Sequence, residues 1–281
     1  GEIVNVEMQL RDHKNIEKRT TFYASKKVVE QLEPKEDFEE LKKVPDESVQ
    51  LILTDLPYNT TPCSWDQEPI DLSKLWEQFE RIIKDDGAIV LFAQQPFTSK
   101  LIMSNLKLYK YNWIWKKNKY ANFLNVRYQT GKLTEDICVF GKKGCSYTPK
   151  GNMKYNPQMA EGKPYKSNGN GNRGASSSVR CDLKQVPIDN KGERYPTNIL
   201  EFSLDSEKKF PHPTRKPVDL LRYLIKTYTD EGDLVLDATM GVASCGVAAL
   251  LENRNFIGIE KDENFFNIGK ERIEKSLQKN E

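Results

Sequence analysis

Two apolar runs separated by one amphipathic segment restrict this chain more than any other feature of its sequence. Val49–Thr54 (VQLILT) and residues 88–92 (AIVLF) are short, apolar and bounded by turn signals. Strands of this kind need cover on both faces, which is the property of a parallel sheet buried beneath helices. Between them Leu72, Leu75, Trp76, Phe79, Ile82 and Ile83 recur at helical spacing. Asp71 is placed to cap that helix, and Gly87 to stop it. The first run ends at Asp55-Leu56-Pro57-Tyr58, where proline closes any regular element, and a polar loop over 59–69 follows. The reading is strand, helix, strand within an α/β fold, a doubly wound and mostly parallel sheet.

The same rhythm returns after Pro217. Val218, Leu221, Leu224, Ile225 and Tyr228 mark a helix, and 234–236 a strand. The turn Asp237-Ala238-Thr239-Met240-Gly241-Val242-Ala243-Ser244-Cys245-Gly246 leads into a helix of small residues. A strand at 256–259 then ends at Glu260, and Phe265, Ile268 and Ile273 line a last helix. Two more strands are expected at 111–115 and 136–140. Residues 1–45 are charged and weakly patterned, a variable N-terminal segment. From 141 to about 200 Gly, Asn, Ser, Lys and Pro dominate, and such a stretch buries little apolar surface. It reads as a long insert ordered by a partner, or as a passive linker.

Composition removes several classes. At 281 residues the chain fits one large domain, or one domain carrying an insert. With 37% hydrophobic and 10% aromatic residues it is not disordered throughout. No apolar run approaches the ~18 residues of a membrane span, and no signal peptide is visible, so no membrane partner is expected. The five cysteines are scattered without a CxxC pair, and there are only two histidines. A disulfide framework, a zinc knuckle or a His-rich metal site is therefore not expected, and a reducing, cytoplasmic location is. The net charge of +2 conceals an asymmetry. Residues 107–216 hold 22 Lys and Arg against 9 Asp and Glu, and the remainder 21 against 32. A basic middle on an acidic frame suggests a polyanion partner, or else a solvated basic face.

Two strand ends carry the chemistry. Asp237 closes a strand, a Gly-containing turn follows, and the next strand ends in Glu260. This is a geometry for a nucleotide-like ligand, with an acid for ribose hydroxyls; it fits NAD or S-adenosylmethionine, and there is no full GxGxxG. Asp55-Leu56-Pro57-Tyr58 also closes an apolar strand. In a doubly wound sheet ligands bind at the carboxyl ends of strands, so the two segments are expected side by side. A carboxylate, a stiff turn and an aromatic ring suit a planar base; the alternative is an ordinary Asp-x-Pro turn with a surface tyrosine.

Taken together the segments resemble the amino-DNA methyltransferases of the β arrangement. The order is Asp-x-Pro-Tyr, a basic insert, His212-Pro213-Thr214-Arg215-Lys216-Pro217, then the cofactor turn. Thr60, Thr61, Trp65, Asp66, Gln95-Pro96-Phe97 and Glu260-Lys261-Asp262-Glu263 bring it nearest to phage-type adenine-specific enzymes. The resemblance covers 49 to the C-terminus. It implies a Rossmann-like methyltransferase domain with its catalytic half over 46–140, a basic target-recognition insert over 141–210 and a cofactor-binding half over 211–281. It implies S-adenosylmethionine as cofactor, double-stranded DNA as partner, no metal, and a possible homodimer. The location would be cytoplasm or nucleoid, or the nucleus in a eukaryote.

The resemblance also assigns roles. Asp55 and the Leu56 carbonyl would accept the two amino hydrogens of a base flipped from the duplex, Pro57 would fix the turn, and Tyr58 would stack on the base. Asp237, Ala238, Thr239, Gly241, Ala243 and Glu260 would hold the cofactor with His212 and Lys216, the lysine near its carboxylate. Asn122 and Phe123 would line the base pocket, and Arg173, Arg180 and Arg194 are candidates for DNA contacts. Leu56 stands where the family has its first proline, and Ala243 where it has a second glycine. If position 243 needs positive φ, alanine there costs roughly 1–2 kcal/mol, and its methyl would crowd the cofactor's methionine moiety. The acid that the family often places after an N-terminal strand is not evident at Tyr23-Ala24-Ser25-Lys26. Asp at the start of the tetrad favours adenine N6. The alternatives are cytosine N4, or a DNA-binding subunit that has lost catalysis; methylation of protein glutamine fits the tetrad less well.

Overall fold

The computed structural model describes residues 5–9, 21–25, 39–58, 70–146, 151–168, 187–204 and 215–278. In chain order the elements are β1 (Asn5–Gln9), β2 (Thr21–Ser25), α1 (Glu39–Lys42), β3 (Val49–Thr54), α2 (Leu72–Ile82), β4 (Ile83–Ala93), α3 (Phe97–Ser104), β5 (Tyr109–Lys116) and β6 (Thr134–Phe140). There follow β7 (Ala160–Glu161), β8 (Tyr165–Ser167), β9 (Ile188–Asn190), β10 (Glu193–Arg194), β11 (Ile199–Glu201), α4 (Val218–Tyr228), β12 (Leu234–Asp237), α5 (Ser244–Leu251), β13 (Asn255–Ile259) and α6 (Glu263–Gln278). The chain forms two compact units, one of residues 1–156 with 198–281 and one of 157–197.

The first unit is built on one sheet in the order β1-β2-β13-β12-β3-β4-β6-β5-β11. The pairs β2–β13, β13–β12, β12–β3, β3–β4 and β5–β11 are parallel, while β6 runs antiparallel to both β4 and β5. The expected doubly wound, mostly parallel sheet is present. From β12 the chain crosses through α5 to β13 on one side; from β3 it crosses through α2 to β4 on the other. The direction of winding therefore reverses between β12 and β3, and the crevice of such a sheet opens there.

Burial explains why these strands are apolar throughout. All six residues of β3 are buried. Leu51 and Leu53 face one cluster with α4, α5 and α6, while Val49 and Ile52 face the other with α1, α2 and α3. In β4 the alternation repeats, with Ala88, Val90 and Phe92 on the first face and Ile89, Leu91 and Ala93 on the second. Each Leu, Ile or Phe buried in this way contributes roughly 1.5–3 kcal/mol. Asp71 caps α2 as expected: its carboxylate accepts from the backbone N–H of Ser73 at 3.1 Å and of Lys74 at 3.3 Å.

Gly87 does not stop α2. The helix ends at Ile82, β4 begins at Ile83, and Gly87 lies inside the strand. A Cβ there would come within 2.9 Å of the Gln50 carbonyl and the Ile83 side chain, so the glycine permits close approach of β3. The N-terminal segment is also more regular than its sequence suggests, because β1 and β2 extend the sheet beyond β13.

Within the stretch expected as an insert, Gly141 donates to the Leu108 carbonyl at 3.0 Å, and Met153 is buried in the first unit's core. β11 joins the main sheet beside β5. The separate unit of residues 157–197 contains two short antiparallel ribbons, β7 with β10 and β8 with β9.

Candidate active site

The site begins where β3 and β12 end. The buried Thr54 hydroxyl lies 2.8 Å from the Asp237 carboxylate and 2.8 Å from the Thr239 hydroxyl, and Thr239 donates to the Asp55 carbonyl at 2.9 Å. Asp237 and Asp55 are thus neighbours, as the order of the strands requires. The Asp237 carboxylate also accepts the Thr239 N–H at 3.2 Å. Burial pushes its pKa up to about 7, aided by the charges of Asp55 and Glu260 and opposed by the Thr54 and Thr239 hydrogen bonds.

Three charged or phenolic groups stand around Asp55, and Lys117 stands behind one of them. Lys216 Nζ lies 2.8 Å from Asp55 Oδ2 and 2.7 Å from Glu135 Oε1. The Tyr58 hydroxyl donates to Asp55 Oδ1 and, at 3.2 Å, to Glu135 Oε1. Lys117 Nζ holds Glu135 Oε2 at 2.6 Å. Glu135 is 5% exposed and Lys216 10%, whereas Asp55 retains 30% of its side-chain surface. Asp55 and the half-buried Tyr58 are the members of the cluster that a ligand can reach.

Electrostatics within the cluster follow from this packing. Burial raises the Asp55 pKa, and the Glu135 charge adds to the rise while Lys216 and Tyr58 oppose it. Burial also raises Glu135, but Lys216 and Lys117 outweigh it and hold the carboxyl below its usual range. For Lys216 burial favours the neutral amine, and the two carboxylates reverse that, so its pKa is raised. Burial and both carboxylates push the Tyr58 phenol well upward. The two acids thus favour the charged lysine between them, and the lysine in turn favours the ionised Glu135.

Local sequence sets these positions. Leu56 buries its side chain in the α2-side cluster, which anchors the tetrad where the family has proline. Phe97, at the start of α3, stacks on Tyr58 with centroids 5.3 Å apart and planes at 28°. Phe97 thus backs one face of the tyrosine ring, which explains the Gln95-Pro96-Phe97 element. The Lys216 ammonium lies 4.9 Å from the Phe92 ring centroid, a favourable setting for a desolvated cation.

The turn after β12 supplies the second half of the site. Gly241 has φ +52°, and its N–H donates to Glu260 Oε2 at 2.7 Å. Glu260 Oε1 accepts from the Asp262 N–H at 2.9 Å. Burial raises the Glu260 pKa against those two backbone bonds. The carboxylate clasps the turn at the end of β13 and keeps acceptor capacity for a hydroxylated ligand. Ala243 adopts φ 57° and ψ 40° at the start of α5. The strain foreseen at this position is therefore present. Its methyl is fully buried and lies over α6, where a Cβ on Gly269 would stand only 3.0 Å from it. The methyl is therefore packed against α6.

The other expected residues are distributed as follows. His212, Arg173, Arg180, Thr60, Thr61, Trp65, Asp66 and Lys26 lie outside the described residues. Lys216, expected at the cofactor's carboxylate, is seated between Asp55 and Glu135. Asn122 fastens its own loop: its amide accepts from the Lys132 N–H at 2.6 Å and donates to the Thr130 carbonyl at 3.0 Å. Phe123 is 66% exposed at the tip of that loop. Arg194 works within the second unit, donating to Asn190 Oδ1 at 2.6 Å and to the Lys163 carbonyl, with its guanidinium 4.8 Å from the Tyr165 ring. An open concavity of that unit, lined by Pro164, Tyr165, Lys166, Asp189, Asn190 and Lys191, contains none of the residues around Asp55. Among the described residues no group of His, Cys, Asp and Glu is placed to hold a metal, and no helix is long and apolar enough to cross a membrane.

Sequence reasoning missed Lys117 and Glu135. A signal was present. Trp113 and Trp115 alternate on the buried face of β5, and Lys117 continues that period of two. Ile137 and Val139 do the same on β6, and Glu135 precedes them. Two opposite charges that extend neighbouring apolar faces mark a buried pair.

The arrangement can bind a nucleoside at the turn after β12 and present an acceptor and an aromatic ring to a second planar group at the end of β3. Its donor set suits S-adenosylmethionine: an acid for the ribose at Glu260, and a tight backbone turn at Gly241.

The chain is similar to known DNA methyltransferases. A family model described as DNA methylase, of the N6/N4 type, matches residues 49–271. A second model, a PD-(D/E)XK nuclease family transposase, matches only residues 1–61, too small a share to show a family. The Type II methyltransferase M.HpaI of Haemophilus parainfluenzae is 28% identical over 249 residues, covering 83% of this chain and 71% of that protein. The DNA adenine methyltransferase YhdJ of Escherichia coli is 27% identical over 251 residues, covering 84% and 79%. Among solved structures, the M1.HpyAVI–SAM complex aligns with TM-score 0.55 and 23% identity over 84% of this chain and 95% of its own. The cytosine-N4-specific PvuII DNA methyltransferase aligns with TM-score 0.58 and 16% identity over 91% and 90%. These two show the same fold, and the family match spans both strand ends described above: the chain belongs to the N6/N4 DNA methylase family.

Proposed function

We propose that this protein is a site-specific DNA methyltransferase that modifies N6 of an adenine flipped from double-stranded DNA, with S-adenosylmethionine as methyl donor. The observation that carries this reading is the adjacency of Asp55 and Asp237 through Thr54 and Thr239, because an amino group held by Asp55 would then lie beside a nucleoside bound at the turn after β12. The cofactor supplies an electrophilic methyl group on a sulfonium. The protein's own groups do the rest. Glu260 would bind the ribose and the Gly241 turn would approach the nucleoside. Asp55 and the Leu56 carbonyl would accept the two amino hydrogens, which draws the nitrogen toward a tetrahedral geometry with an available lone pair. Tyr58, backed by Phe97, would stack on the base, an interaction worth roughly 1–3 kcal/mol.

Adenine rather than cytosine is supported by Asp at the head of the tetrad, since the cytosine-N4 enzymes of this family usually begin with Ser. YhdJ, named an adenine methyltransferase, is one of the relatives. DNA as substrate is also supported by the loop between β5 and β6. From Lys116 to Thr134 it carries five Lys and Arg and no acid. It leaves the sheet at the edge where β3, β4 and β12 end, and it exposes Phe123, Leu124 and Tyr128.

The test is methyl transfer from labelled S-adenosylmethionine to mixed-sequence duplex DNA, followed by nucleoside analysis. N6-methyladenine is expected. N4-methylcytosine would give the reaction to the other base, and no transfer would overturn the proposal.

A further inference from the structure

An amino group that reaches Asp55 must share its oxygens with two donors already in place. Its Oδ2 already accepts Lys216 Nζ at 2.8 Å, and its Oδ1 already accepts the Tyr58 hydroxyl. Both of those donors have the same second acceptor. Glu135 Oε1 lies 2.7 Å from Lys216 Nζ and 3.2 Å from the Tyr58 hydroxyl. Glu135 itself is fixed and buried, 5% exposed, with its other oxygen held by Lys117 at 2.6 Å. One carboxylate is thus reachable and doubly engaged, and the other is enclosed and positioned to take over both engagements.

We infer that Glu135 is a positioning residue that receives Lys216 and Tyr58 when a base arrives, so that the Asp55 lone pairs are released to the amino hydrogens. No covalent bond changes in this step. Two donors that both carboxylates now share turn wholly to Glu135, and the lysine keeps its charge partner throughout. Burial of Glu135 makes it a poor ligand site and a good internal acceptor. Lys117 keeps it ionised and prevents it from following the donors toward Asp55. The inference rests on the methyl-transfer reading above and adds to it a residue outside the tetrad, the cofactor turn and the basic insert.

A residue that only neutralised buried lysines would leave a different trace. Glu135→Gln keeps the volume and one acceptor oxygen but loses the charge that draws Lys216 away. With the donors left on Asp55, kcat should fall on the order of tenfold to a hundredfold, the scale of a misplaced catalytic group, with little change in the KM for cofactor. The acid limb of the kcat–pH profile should move to lower pH. The charged and titratable groups facing Asp55 are Lys216, Tyr58, Glu135 and Asp237, and Glu135→Gln removes one of the negative ones.

The decisive measurement is the double variant Glu135→Gln/Tyr58→Phe. It removes one of the donors that must be handed over while keeping the aromatic ring. Its kcat is expected to exceed that of Glu135→Gln alone, and Glu135→Gln/Lys216→Met provides a second such pair. Further loss in both doubles, or wild-type kcat with an unmoved acid limb in Glu135→Gln, would overturn the inference while the wild type's methyl transfer still stood. A wild type that transfers no methyl group would overturn the reading beneath it as well. Cofactor binding by calorimetry and the thermal midpoint of each variant separate loss of fold from loss of chemistry.

Discussion

Thr54 Oγ1 lies 2.8 Å from Asp237 Oδ1, joining the ends of two strands 183 residues apart in sequence. Thr54 is also 2.8 Å from the Thr239 hydroxyl, which in turn reaches the Asp55 carbonyl at 2.9 Å. Three contacts share two hydroxyl hydrogens. The third hydrogen is available when Asp237 is protonated, and its carboxyl is pushed up to about 7. A single chain of bonds then runs from Asp237 through both threonines to the backbone of the tetrad.

This has a stability consequence with a definite sign. The folded pKa of Asp237 lies above its ordinary value of 3.8, so the native state binds more protons than the unfolded state between about pH 4 and 7. Its contribution is complete at the acid end, falls as pH rises through that window, and is level above it. The full span is up to about 4 kcal/mol. Asp237→Asn removes the titration while retaining a side chain that can donate to Thr54. Comparing thermal midpoints from pH 5 to 8 should show the wild type losing stability relative to the Asn variant. Parallel curves would mean that Asp237 is ionised throughout.

Asp55→Ala should abolish methyl transfer, by at least about a hundredfold in kcat, because the acceptor that orients the amino group is lost. DNA affinity should be nearly unchanged, since phosphate contacts supply most of it. Filter binding and labelled-cofactor assays on the same preparation make the comparison. Undiminished turnover would remove Asp55 from the chemistry.

How much of this was legible in the sequence depends on the kind of signal. The runs at 49–54 and 88–92 are apolar on both faces, so period and composition alone required a covered parallel sheet, and that sheet placed Asp55 beside Asp237. Ala243 could be questioned from sequence because positive φ is a local property. Its resolution could not, since the space for its methyl depends on Gly269 in another helix. Gly87 was misread because a glycine after a helical stretch looks the same whether it ends the helix or admits a neighbouring strand. Glu135 and Lys117 were missed because the pairing of Glu135 with both Lys117 and Lys216 arises only once β5, β6 and the segment before α4 meet.

The loop between β5 and β6 yields a prediction about DNA affinity. Lys119, Arg127 and Lys132 are exposed, and no acid offsets them between Lys116 and Thr134. If they meet phosphates, replacing each by Ala should weaken binding uniformly across sequences and reduce the slope of log affinity against log salt by about 1 per residue. Tyr128, 89% exposed, should instead affect affinity with no change in slope. Titrations of duplex DNA at several salt concentrations separate the two effects. Slopes equal to wild type in all three basic variants would remove the loop from the phosphate contacts.

Ala243 and Gly269 should be energetically coupled. Ala243 holds a left-handed conformation that costs roughly 1–2 kcal/mol for a residue with a Cβ. Its buried methyl is accommodated because position 269 has none: a Cβ at Gly269 would stand 3.0 Å from Ala243 Cβ and 3.3 Å from the Gly241 carbonyl. Gly269→Ala should therefore overpack the turn, at a cost of about 1–3 kcal/mol despite the better helix propensity of alanine. It should also weaken S-adenosylmethionine binding, because Gly241, in the turn proposed to meet the nucleoside, anchors Glu260 through its N–H. In an Ala243→Gly background the same substitution meets only backbone, the Gly241 carbonyl at 3.3 Å and the residue 243 nitrogen at 3.4 Å, and its cost should fall. Four denaturation midpoints complete the cycle. A cost for Gly269→Ala independent of residue 243 would mean that the methyl and the helix do not compete for this space. The family glycine would then have been replaced here without help from α6.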